Sequence, residues 1–168
     1  MAQGTSGSKA RSSRGRKKRK PSPVSGAAAD VPGSGVVGRL GAWQGEAMER
    51  VRRAVQEGLP VETVAELQDE LKELGVPRPS RYVESIASRA TRGRRETLTP
   101  EQGEKLVRVA RVLARALDVW EDHEMAADFL TRPHDELEGS TPIARAQSEI
   151  GARQVEELLL KLDLGLPV

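Results

Sequence analysis

From Trp43 onward, apolar residues recur at intervals of three and four, the period of a helix with one face turned inward. In EAMERVRRAVQEG, Met48, Val51 and Val55 keep that spacing until Gly58 and Pro60 stop it. In VETVAELQDELKELGVP, Val61, Val64, Leu67, Leu71 and Leu74 repeat the pattern, and Gly75 and Pro77 end it. A third, weaker helix is predicted for SRYVESIA, with Tyr82, Val83 and Ile86 on one side, and Ser88 is placed to cap a short turn after it. Thr99, Pro100 and Gln102 then form a start signal: a capping hydroxyl, a proline where no amide hydrogen is needed, and an amide side chain at the third helical position. The helix they open carries the longest stripe, Leu106, Val109, Ala110, Leu113, Leu117 and Trp120, while Lys105, Arg108, Arg111 and Arg115 face elsewhere.

Beyond Trp120 the elements shorten. EMAADFL is a brief helix ended by Pro133, the segment to Ser140 is a loop, and Thr141 with Pro142 repeats the cap-and-proline start. Ser148 caps a last helix in which Ile150, Val155, Leu158, Leu159 and Leu162 are expected on the buried side. Leu160, Leu164, Leu166 and Val168 are left over, an apolar surplus that wants either a home in the same chain or a pocket in another.

Composition sharpens this to an all-α expectation. Aromatic residues are 2% of the 168, so the core has to be built from Leu, Val, Ile and Ala, a palette that suits packed helices. There is no cysteine, which excludes disulfides and thiolate metal sites and fits a cytoplasmic location. The formal net charge of +2 hides an asymmetry: residues 1–20 hold eight Lys and Arg and no acid, which leaves the rest of the chain at −6. No apolar run is long enough for a membrane span, and the basic stretch lacks the apolar segment of an export signal. From Met1 to about Gly41 large apolar groups are too few to offset the entropy of ordering, so a disordered basic arm is expected over 1–41, attractive to phosphates without sequence preference.

Little supports catalysis. His123 and His134 stand alone without metal-ligand spacing, and neither a nucleophile elbow nor a phosphate-cradling P-loop is present, so a non-enzyme without cofactor or metal is expected. GSGVVG (33–38) matches GxGxxG, but AAADVP precedes it where a strand would have to deliver the loop, so it is not read as a nucleotide site. Short helices joined by tight turns, with arginines crowded on the last of them, are what a helix-turn-helix requires; Ser88, Arg89, Thr91, Arg92, Arg94 and Arg95 in SRATRGRR are the candidate DNA contacts. A solvated basic loop is the competing reading, because Gly93 weakens a helix there.

Phe129, Leu130, Pro133, Leu137, Gly139, Pro142, Gly151, Ala152, Val155, Leu158, Leu159 and Gly165 follow a recognisable order and spacing. In them the last 40 residues resemble the toxin-binding domain of Xre/MbcA/ParS antitoxins. Thr91, Arg94, Arg95, Leu98, Pro100 and Leu106 are similarly in register with the segment where that family's Xre-like helix-turn-helix passes into its long helix. Gly103, Lys105 and Leu160 depart from the family's usual Ser, Arg and Gly. The resemblance implies a helix-turn-helix and dimerisation bundle over 44–120 and a small helical toxin-binding domain over 121–168. It implies an antitoxin of a type II pair, partnered by a RES-domain toxin that degrades NAD or uses it for ADP-ribosylation. Leu159, Leu160, Leu162, Leu164, Gly165, Leu166, Pro167 and Val168 would hold that toxin, the last of them entering its active site. Operator DNA and a second copy, as homodimer or higher oligomer, are the other implied partners. Two rival readings use the same residues: a DNA-binding regulator whose C-terminal helix is only an oligomer interface, and a helical adaptor without a DNA role.

Overall fold

The computed structural model describes Met1 and residues 35–41 and 45–167. Most of the basic arm, together with Trp43 and Val168, lies outside the described residues. The fold is all-α: the described residues form nine α-helices and one 3-10 turn, with no strand and only two isolated bridges. The helices are α1 (Gly35–Leu40), α2 (Gly45–Glu57), α3 (Glu62–Glu73), α4 (Pro79–Glu84), α5 (Arg89–Arg92), α6 (Pro100–Trp120), α7 (His123–Thr131), α8 (Pro142–Arg145) and α9 (Glu149–Asp163).

The spine is α6, and α1, α2, α7 and α9 all pack on it. Its start follows the local chemistry of its sequence: Thr99 Oγ1 accepts from the Gln102 amide at 3.3 Å while the Gln102 side chain accepts from the Thr99 amide at 3.0 Å, the reciprocal capping box. Leu106, Val109, Ala110 and Leu113 are fully buried along it. Gly103 is buried where Val55 of α2 approaches, and a Cβ there would lie 3.2 Å from Val55 Cγ1. One continuous hydrophobic cluster runs from Val36 to Leu159, so the segments 44–120 and 121–168 share a core across the end of α6.

Two expectations need correction. The arm was expected to continue to Gly41, yet residues 35–40 form α1, whose Val36, Val37 and Leu40 are buried against α3 and α6. Three apolar residues are too few to order a segment alone; they suffice when a preformed apolar surface receives them. Ile150, expected on the buried side of α9, is 76% exposed. It stands five residues before Val155 rather than three or four, which turns it about 140° away from the buried stripe on a 3.6-residue helix.

Candidate functional site

Two surfaces carry the residues that the sequence singled out. The first is the end of α9. Ser148 Oγ accepts from the Gly151 amide at 3.1 Å and opens the helix. Gly151 sits so close to the preceding turn that a Cβ there would lie 2.1 Å from the Arg145 carbonyl oxygen, which only glycine avoids. Ala152, Val155, Leu158 and Leu159 then enter the core.

Arginines of α6 fix the helix laterally. Arg108 Nε donates to Glu149 at 3.0 Å, Arg111 Nε to Glu156 at 2.5 Å and an Arg115 amino group to Asp163 at 2.7 Å. Both sets of partners ascend together, so α6 and α9 run the same way with a ladder of ion pairs between them. Burial raises the Glu149 carboxyl pKa, but hydrogen bonds from Arg153 and Arg108 outweigh that and hold it below the usual carboxylate range.

The helix ends in a Schellman motif: the Leu166 amide donates to Lys161 O at 2.9 Å and the Gly165 amide to Leu162 O at 3.0 Å, with Gly165 at φ +66°. That geometry leaves Leu160, Leu164 and Leu166 exposed, 48%, 64% and 50% respectively, on a rigid capped end. Gly165 and Pro167 are exposed as well, and Leu162 is half-buried against the core. Leu159 is different: at 0% exposure it is a core residue, and a partner reaching α9 from solvent meets Leu160 in its place. Leu160 adds apolar bulk to the surface.

The second surface is the arginine cluster. Ser88 Oγ accepts from the Thr91 amide at 3.2 Å, as its position before a short helix predicts, but α5 is only four residues long. At 1.5 Å per residue it spans about 6 Å, a single turn. Arg92 is drawn inward to Glu84, 3.1 Å away, and Glu84 also accepts from the Arg89 amide. Arg89, Arg94 and Arg95 are left facing solvent. The tight helix pair upstream is α3 with α4, joined through a turn in which Arg78 adopts φ +52°. Arg78 precedes α4 and Arg81 lies within it, both exposed, in a six-residue helix behind Pro77 and Pro79 that gives little periodic signal.

The GxGxxG stretch has another use. Its described part, residues 35–38, lies within α1, where the Glu70 carboxylate accepts from the amides of Val36 and Val37, the latter at 2.9 Å. A phosphate would have to displace an anion already seated on those amides. Burial pushes the Glu70 pKa up, against the hydrogen bonds that lower it. His134 is half-buried, its ring 4.9 Å from that of Phe129 and its Nε2 3.3 Å from the Phe129 carbonyl oxygen. Among the described residues no cluster of three or more His, Asp or Glu is placed to hold a metal, and no helix is long and apolar enough to cross a membrane.

Residues 115–165 match the family model of the antitoxin Xre/MbcA/ParS C-terminal toxin-binding domain, a stretch that holds the end of α6, α7, α8, α9 and the Schellman cap. The chain is also similar to the antitoxin Xre of Pseudomonas putida, 32% identical over 98 residues that make up 56% of this chain and 62% of that protein. The match thus spans less than two thirds of that relative's length.

Proposed function

We propose, from the match of residues 115–165 to the Xre/MbcA/ParS C-terminal toxin-binding domain and the likeness to an antitoxin Xre, that the chain is an antitoxin of this type and neutralises a RES-domain, NAD-consuming or ADP-ribosylating toxin. It does so as a non-enzymatic stopper: Leu164, Gly165, Leu166, Pro167 and Val168 enter the toxin's active site, and Leu160 with the exposed edge of Leu162 rests on the rim. The observation that carries this reading is the exposure of Leu160, Leu164 and Leu166 together at the capped end of a helix pinned to α6. A short plug on a fixed helix loses little conformational freedom when a concave pocket receives it. Each apolar side chain buried there contributes about 1.5–3 kcal/mol before the costs of association.

In the same proposal residues 44–120 bind operator DNA as a homodimer or higher oligomer. Arg89, Arg94 and Arg95 contact it, with Arg78 and Arg81 beside them, Ser88 and Thr91 hold the turn, and Arg92 fixes α5 to α4 through Glu84. A tagged chain purified from its host is expected to retain a RES-domain protein, and deletion of Gly165–Val168 is expected to abolish both that retention and rescue of growth from the toxin while DNA binding persists. Rescue undiminished by the deletion refutes the stopper. For DNA, R94A/R95A is expected to narrow the difference in affinity between operator and random duplex at fixed salt; equal losses on both assign those arginines to phosphate contact alone.

A further inference from the structure

Of the large apolar side chains left exposed between residues 45 and 167, all but Met125 belong to α9 and its cap. Leu160, Leu164 and Leu166 cluster at one end. Ile150 does not: it stands at the opposite end of the helix, 76% exposed, ten residues and about 15 Å before Leu160. A stopper at the C-terminal end gives it no role.

The outer face of α9 is self-complementary. Numbered about residue 155, Glu149 mirrors Lys161, Ile150 mirrors Leu160 and Arg153 mirrors Glu157, so each acid is matched with a base and each exposed aliphatic with another. These positions surround the direction diametrically opposite Val155, and Val155 is fully buried. The symmetric face is therefore the one turned to solvent. Arg153 and Glu157 are 75% and 71% exposed, and their present partners, Glu149 and Lys161, lie four residues away on the same helix. Exposed pairs of that kind hold their members weakly, so they are free to exchange partners.

We propose that this face pairs with the α9 of a second copy of the chain, antiparallel about a two-fold axis at residue 155. Residue i of one copy then meets residue 310 − i of the other, which is the isologous arrangement of a symmetric dimer. Ile150 packs on Leu160 of the second copy at both ends of the contact and Arg153 faces Glu157 twice near the axis, while Glu149 and Lys161, held on opposite flanks by Arg108 and Glu136, lie at its edges. Leu164 lies on the same face and reaches past the start of the facing helix. A parallel pairing is disfavoured, because it sets Arg153 against Arg153 and Glu157 against Glu157. The proposal concerns the free chain and stands apart from toxin capture, with which it shares Leu160.

The test is sedimentation equilibrium of the full-length chain from about 1 µM to about 1 mM, the range that brackets a weak symmetric contact. The wild type is expected to self-associate beyond any dimer held by residues 44–120. R153E and E157R are each expected to weaken association at least about tenfold, since each sets like charges face to face; the double variant R153E/E157R is expected to return to within about threefold of wild type, because the swap preserves every antiparallel pair. Both sites are exposed, and circular dichroism of each variant checks that the helices persist. Because the chain has no cysteine, I150C mixed with L160C supplies an independent reading: the antiparallel register yields a cross-linked heterodimer that neither variant forms alone. No association up to the highest concentration, unchanged association in the single variants, or a double variant no stronger than the singles overturns the proposal.

Discussion

Arg111 Nε donates to Glu156 Oε1 across 2.5 Å, with only 16% and 18% of the two side chains exposed. It is the most enclosed step of the ladder joining α6 to α9. A charge pair this deep contributes little relative to a well-packed apolar pair, but losing one member leaves the other desolvated without compensation. R111A is expected to destabilise the protein by about 2 kcal/mol, and R111A/E156A by less than the sum of the single variants. Urea denaturation of all four proteins checks both statements.

Gly151 tests the close approach that begins α9. On helix propensity alone, alanine at this position adds up to about 1 kcal/mol of stability. Because its Cβ would stand 2.1 Å from a backbone carbonyl, G151A is expected to destabilise by about 2 kcal/mol instead. The sign of the change in melting temperature decides the matter.

Glu149 sets a pH dependence. Its folded pKa lies below the ordinary 4.5, so its contribution is complete above that value and is lost as pH falls through the depressed folded pKa. Between about pH 5 and about pH 3 the wild type is expected to lose more stability than E149Q, which has no carboxylate to protonate there. Thermal melts of both proteins across that interval give the comparison; parallel curves would contradict it.

Glu70 holds α1 to the body through the amides of Val36 and Val37. E70A removes that cap while leaving Val36, Val37 and Leu40 unchanged. Loss of a capping carboxylate costs about 1 kcal/mol, so amide exchange over residues 35–41 is expected to quicken about fivefold with α6 unaffected. Slower or unchanged exchange in α1 would remove Glu70 from that role.

Most element boundaries were legible because they obey local chemistry. The caps at Ser88, Thr99, Thr141 and Ser148 each accept from the amide three residues on, as a hydroxyl just ahead of a helix predicts, with proline next to it at Thr99 and Thr141. The apolar surplus at Leu160, Leu164 and Leu166 could also be read from its place off the buried stripe, and these side chains are exposed. The arginine cluster was legible as composition, but its division was not. Arg92 turns to Glu84, eight residues away, and no local pattern distinguishes it from Arg94 and Arg95.

By itself the sequence determined the all-helical class, the start of each main helix, the stripe of α6 and the family resemblance of the final segment, because these depend on residues within one or two turns of each other. Tertiary structure alone decided the rest. It ordered α1 by giving three apolar side chains a surface and two amides a distant carboxylate. It turned Arg108, Arg111 and Arg115, which periodicity places off the stripe, into the grip on α9. The physical reason is the same in both cases: an amphipathic pattern says which face of a helix avoids water, and only the approach of another element fixes what the polar groups on its flanks will meet.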